Sequence, residues 1–356
     1  MKTRTNLAAL LALSLAAAGC AADAPAPGDD DGGGGGGGGD GGGGGGDNTP
    51  PDAVGKYQLH NTFDLATNAP GTVGDVSRAI IDMTDDSDDP ANYLLTQVIN
   101  ALPSGFVKNA LNGAKPFVAG IINDRLLDIA PDFVTTFVQV GNDFGDITKN
   151  FGLNSTFDVT GVSGTYTVNH TVLGAHFKIN GVETDYNFAD YGINNSTVNG
   201  VAMTVDQTGK LSLADHKVAV SYGAVLRLAL DAAIIPSLDP SATNLGQLLQ
   251  HQVDCNAVGT AFEDAIESLI GFGPGSGTFT AACNLGLTAG ANFIYSKITA
   301  IDGSALELGL TGTAKIIDKD GDHKLDTIQT GQWTGNATYA GTPAPLSTAT
   351  FFGARM

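Results

Sequence analysis

Every odd-numbered position from 279 to 295 is apolar: Phe279, Ala281, Cys283, Leu285, Leu287, Ala289, Ala291, Phe293 and Tyr295. Between them stand mostly small or polar residues, among them Thr278, Thr280, Asn284, Gly286, Thr288, Gly290 and Asn292. A period of two reads as a strand with one buried face. Seventeen extended residues would reach ~55 Å at 3.3 Å each, whereas an ordinary strand has ~5 or 6. Such a strand has to bend, and its glycines and alanines permit it.

The same period recurs upstream. Tyr166, Val168 and Val172 share one face, and Leu173, Ala175, Phe177 and Ile179 continue after a phase slip near Gly174, as at a bulge. Asn180-Gly181 before Val182 signals a hairpin turn. Val218, Val220, Tyr222, Ala224, Leu226, Leu228 and Leu230 read as one more strand. Helical spacing marks 75–83, 90–102 and 115–140, with breaks at Pro103, Gly113 and Pro131. It also marks one helix over 244–272, whose face carries Leu245, Leu248, Leu249, Val258, Phe262 and Ile266. Gly271, Gly273, Pro274 and Gly275 stop that helix. The expected fold is α+β, with long amphipathic helices packed on a long, strongly bent antiparallel β-sheet. Two successive units, 55–236 and 237–356, would each be helical first and β-rich afterwards, as two similar halves of one folded body.

The N-terminus has another character. Lys2 and Arg4 precede an apolar stretch at 7–18 that is too short to span a bilayer as a helix, so residues 1–19 read as an export signal. It ends in Ala17-Ala18-Gly19-Cys20, which resembles a bacterial lipobox, although Ala17 stands where that pattern prefers leucine. The resemblance implies acylation at Cys20, and Ala21 after it implies release to the outer membrane, facing either the periplasm or the cell surface. Residues 20–54 hold 15 glycines, 14 of them in two runs, and seven aspartates, with no basic residue. Such a segment buries nothing and acts as a tether, with an r.m.s. span of ~30 Å. The formal charge of −20 argues against nucleic acid or anionic headgroups as bulk-charge partners.

Setting Cys20 aside leaves Cys255 and Cys283, an even remainder that reads as a disulfide in an exported protein. Cys255 is in phase with Val258, Phe262 and Ile266, and Cys283 with the apolar face of the long alternating run, so the bond would staple helix to strand. A helix wrapped by long bent strands with a helix-to-strand disulfide resembles the TULIP superfamily of lipid-binding proteins. That resemblance implies an apolar ligand held between helix and sheet. Phe262, Ile266, Phe279, Leu285, Leu287, Ala289, Ala291 and Phe293 would line the groove.

Asp318-Lys319-Asp320-Gly321-Asp322-His323-Lys324-Leu325-Asp326 offers carboxylates at Asp318, Asp320, Asp322 and Asp326 plus the carbonyl of Lys324. Calcium takes hard oxygens around a tight loop, so this is either a calcium loop in a hairpin or a solvated Asp-Gly turn. Catalytic motifs are lacking: 273–277 has proline where a nucleophile elbow needs glycine, and only four glutamates occur. His60, His216, His251 and His323 are scattered, while His170 and His176 share strand parity across the suspected bulge. The expected function is that of a membrane-anchored lipoprotein binding a lipid or other apolar ligand. The alternative is a structural or surface-display lipoprotein with a filled core, and a transmembrane β-barrel, which alternating strands also fit, comes third.

Overall fold

The computed structural model describes residues 50–75 and 131–356, except 163, 272 and 274. The segments expected as export signal and most of the tether, Cys20, and the helices expected beyond residue 75 and before 131 lie outside them. Ten strands form: β1 Gly55–Phe63, β2 Phe151–Val162, β3 Thr165–Ile179, β4 Val182–Asn187, β5 Ser196–Val205, β6 Lys210–Val220, β7 Leu306–Ile317, β8 Thr327–Tyr339, β9 Thr342–Pro345 and β10 Ala349–Arg355. All pair antiparallel in the order β10-β1-β2-β3-β5-β6-β7-β8. β10 also pairs with β8, which closes the ring into an eight-stranded up-and-down barrel. β4 and β9 are appendages on the upper halves of β3 and β8.

This overturns the expected fold. The sheet is a closed barrel and not an open bent surface carrying helices, so it has no free edge around the ring. Strands from both expected halves share that ring, and the halves do not separate. The strands that close it are β1 and β10, whose inward apolar alternation is interrupted by Asn61 and by glycines, and which the periodicity left unassigned.

In a meander, connections alternate between the two ends of the barrel. The short turns β2–β3 and β5–β6 and the aspartate loop between β7 and β8 lie at one end. The long connections lie at the other, and the helices belong to them. Helix α1 (Pro131–Lys149) leads into β2. Helix α2 (Tyr222–Leu228), a π turn (Ala229–Ile234), α3 (Ile235–Leu238), α4 (Leu245–Gln252), α5 (Cys255–Ile270) and α6 (Ser276–Ile301) lie between β6 and β7. Pro131, expected as a break, is the first residue of α1, where its missing N–H costs nothing.

Three expected elements change identity. The run at 279–295 is helical, not a strand. Its buried positions are Phe279, Ala282, Cys283, Gly286, Leu287, Gly290, Ala291, Ile294 and Ile298, a three-and-four spacing. Glycine and alanine carry little hydropathy contrast, so two periods fit the same letters, and a 26-residue helix satisfies its own backbone where so long a strand could not. The strand expected from 218 to 230 ends at Val220, and α2 starts at Tyr222. The single helix at 244–272 is two. Asn244 Oδ1 caps α4 by accepting from Gln247 N, and Asp254 Oδ1 caps α5 by accepting from Asn256 N and Ala257 N. Gly271 ends α5 at φ 78°, as its position anticipates. The Asn180-Gly181 turn and the bulge near Gly174 are both present.

Cys255 and Cys283 form a disulfide. It joins α5 to α6, helix to helix, because the partner segment is not a strand. The sequence separation is 28. A loop of that size gives about 3.6 kcal/mol on the chain-entropy account. Cys255→Ser with Cys283→Ser is therefore expected to lower unfolding free energy by about 2–4 kcal/mol, read by urea titration. Equal midpoints for the two proteins would show that the staple constrains nothing.

Candidate functional site

The eight residues expected to line an apolar groove do not line one. Phe262, Ile266, Phe279, Leu287 and Ala291 are buried where α5 and α6 pack together and against the rest of the core, with Phe262 and Phe279 rings 5.6 Å apart. Leu285, Ala289 and Phe293 lie on the opposite, solvent-facing side of α6, with Leu285 59% and Phe293 47% exposed. A helix separates by about 100° per residue what a strand would have kept on one face.

The aspartate loop is a hairpin connection, as anticipated, with Ile317 opposite Thr327. Oxygens of Asp318, Asp320 and Asp326 lie within 4.8 Å of one another. Asp322 stands apart from that trio, for its Oδ2 accepts from Lys324 Nζ at 3.0 Å, which holds its carboxyl below the usual range. The trio is also engaged internally. Asp318 accepts from Gly321 N and His323 N, Asp320 from Asp322 N, and Asp326 from Lys319 N at 2.7 Å. These contacts are those of Asp and Gly turn chemistry.

The barrel lumen holds what the sequence reading missed. Asn61 on β1, Ser155 on β2, His170 on β3, His216 on β6 and Trp333 on β8 all point inward, in phase with apolar neighbours, and all are buried. They form one chain of hydrogen bonds. Trp333 Nε1 donates to Asn61 Oδ1 at 3.1 Å, and Asn61 Nδ2 donates to Ser155 Oγ at 2.9 Å and to Leu153 O at 3.0 Å. Ser155 Oγ is 3.1 Å from His170 Nε2, His170 Nδ1 is 2.9 Å from His216 Nε2, and His216 Nδ1 is 2.9 Å from the carbonyl of Ala214.

The direction of this chain is fixed by its end. A carbonyl only accepts, so His216 Nδ1 carries the proton and its Nε2 accepts from His170 Nδ1–H. His170 Nε2 is then left to accept the Ser155 hydroxyl proton. Both rings are neutral Nδ1–H tautomers. Burial is the main reason that His170 is pushed down to about 3, with His216 beside it as the second. Burial likewise lowers His216.

A serine donating to a histidine that another group orients has the topology of a nucleophile and its base. Ser155, however, is 0% exposed, so its hydroxyl is shut off from solvent. His170 stacks on Trp333 at 5.9 Å and meets the edge of Phe157, and Trp333 stacks on Phe351 at 4.3 Å. Glycines opposite these rings make room for them. A Cβ on Gly312 would come within 2.5 Å of Trp333 Cζ3, and one on Gly331 within 2.6 Å of Phe351 Cγ. Pairing small with large across the lumen is how a narrow barrel fills itself.

The turn-and-loop end is closed as well. Ala53 is wholly buried there, its N–H donating to Tyr166 Oη at 3.2 Å. Tyr57 Oη, pushed up to about 12 chiefly by burial, bonds the carbonyls of Ala53 and Leu325 and accepts from Arg355 Nη2 at 2.9 Å. Among the described residues, buried side chains therefore occupy both the middle of the lumen and this end of it. No family model, curated protein or solved structure matches the chain.

Proposed function

We propose that the chain is a lipid-anchored envelope protein that holds a solid barrel away from the membrane and works from the barrel's outer wall and rim loops, with no ligand in the lumen. The observation that carries this reading is the packed middle of the lumen, where Trp333, Phe157, His170 and Phe351 are buried and their rings meet one another. The outer wall supports it. Thr156, Asp158, Asn169, Thr171, Lys217, Glu307, Thr311, Thr334 and Asn336 are outward-facing and polar or charged, while the inward positions are mostly apolar. A barrel that crosses a bilayer has the reverse pattern. Among the described residues no helix is long and apolar enough to cross a membrane. Attachment on this reading comes from acylated Cys20, and the tether sets the standoff.

Cys20→Ala is expected to move the protein from the membrane fraction to the soluble fraction or to leave an unprocessed precursor. Membrane fractionation unchanged after signal cleavage would remove the anchor from the account. For the lumen, residues 51–356 purified without detergent should carry no stoichiometric lipid by native mass spectrometry with lipid extraction. Bound lipid lost on Leu285→Asp with Phe293→Asp would return the function to apolar ligand binding, now on the outer face of α6, where Leu285, Ala289 and Phe293 follow one another at i, i+4 and i+8.

A further inference from the structure

On the outer wall, β2 lies between β1 and β3, with His60 opposite Asn154 and Gly152 opposite His176. The His176 ring lies over Gly152, since a Cβ there would come within 2.6 Å of His176 Nε2. It reaches toward His60, and the two rings are 5.1 Å apart. His60 is held from its other side by stacking on Phe352, at 5.1 Å and 5° between planes.

The tautomer of His176 follows from its neighbours. Asn154 Nδ2 donates to Asp185 Oδ1 at 2.8 Å and to Ala175 O at 3.3 Å, both of which only accept. Asn154 Oδ1 therefore faces His176 Nδ1, 2.8 Å away, and that nitrogen carries the proton. Nε2 is left with its lone pair outward, 3.8 Å from Glu183 Oε1. His60 Nδ1 is buried without a hydrogen-bond partner. One ring nitrogen from each of His60 and His176 and one carboxylate oxygen of Glu183 lie within 4.8 Å of one another. Nothing among the described residues donates a proton between His176 Nε2 and Glu183 Oε1. Facing acceptors repel unless a cation lies between them.

We propose that His60, His176 and Glu183 bind a divalent transition-metal ion of the zinc class on the outer wall of the barrel. Two imidazoles and one carboxylate suit zinc, nickel or copper and not calcium, which asks for six or more oxygens. Asn154 and Asp185 supply the support that metal-bound histidines need, a hydrogen bond fixing the distal nitrogen. Tetrahedral ligands at ~2.0–2.1 Å from zinc stand ~3.4 Å apart, so His176 Nε2 and Glu183 Oε1, at 3.8 Å, need to close by only ~0.4 Å and no pair by more than ~1.4 Å. Glu183 can supply much of that movement, since its side chain is 51% exposed on the short strand β4. Three protein ligands leave a fourth position open to water or to an outside donor.

The test is isothermal titration of the chelator-stripped, full mature chain with zinc chloride. One equivalent is expected to bind with micromolar or tighter affinity. Glu183→Gln, at an exposed position that leaves the barrel intact, should weaken binding at least about tenfold, and His176→Gln about a hundredfold. A chain with Asp318, Asp320 and Asp326 all changed to Asn should bind zinc as the parent does. Cobalt(II) in place of zinc should give the intense visible bands of a four-coordinate site, which need no variant to interpret. No binding below millimolar, an affinity untouched by Glu183→Gln, or a loss that follows the aspartate triple variant would each overturn the proposal. The reading of a lipid-anchored solid barrel stands or falls separately, on the Cys20 and lipid measurements.

Discussion

Trp333→Ala is expected to lower the unfolding free energy by about 3–5 kcal/mol, the largest effect of any single change in the barrel. The indole is 3% exposed and stacks on Phe351 and His170 at the centre of the lumen, so truncation removes transfer energy and opens a void. Trp333→Phe separates the second component. It keeps most of the ring but removes the donor to Asn61 Oδ1, leaving a buried acceptor unsatisfied at a cost of about 1–3 kcal/mol. Urea titration of the two variants beside the parent reads both figures. Losses under about 0.5 kcal/mol for Trp333→Ala would mean that the lumen is wet or loosely packed.

Stability should also fall as pH drops through a range where carboxylates are still ionised. His170 is held down to about 3 in the folded barrel by burial, while an unfolded histidine titrates near 6.5. Between those values the unfolded chain binds a proton that the folded chain refuses. The stability contributed by neutral His170 is therefore complete above about pH 6.5 and is lost as pH falls toward 3. Between pH 7.5 and pH 5.0 His170 alone should cost about 2 kcal/mol at ~1.4 kcal/mol per unit. His216, also lowered by burial, acts in the same direction. Carboxylates whose pKa is lowered in the fold, such as Asp64, add losses of the same sign only at more acid pH. Unfolding free energies at pH 7.5 and 5.0 that agree within about 0.5 kcal/mol would contradict a dry lumen.

Where apolar and polar letters contrast strongly, the sequence reading holds. Tyr166, Val168 and Val172, the Asn180-Gly181 turn, the slip near Gly174, the Gly271 stop and the Cys255–Cys283 pair are all legible, because each is set by local chemistry. The reading fails at 279–295, where alanine, glycine and threonine serve a helix face as readily as a strand face. It fails again at ring closure, since pairing β1 with β10 joins residues some 290 positions apart and no local pattern encodes that. The lumen chain left a partial signal. His170 is in phase with Tyr166, Val168 and Val172, and His216 with Val218 and Val220, so two polar residues stood on apolar faces. Asn61, Ser155 and Trp333, from three further strands, complete the chain only once the barrel closes. At the wall, the bulge turns His170 inward and His176 outward, and without register neither could be assigned a side.

The central claim, a lumen sealed and filled by its own side chains, is tested most directly by long-range ¹H–¹⁵N NMR of histidine-labelled protein across pH 7.5 to 5.0. Two ring signals, assigned to His170 and His216 by their loss in His170→Asn and His216→Asn, should remain those of neutral Nδ1–H tautomers at pH 5.0. A His170 that titrates near 6.5, or sits as the Nε2–H tautomer, would place water or a ligand inside the barrel and contradict the account.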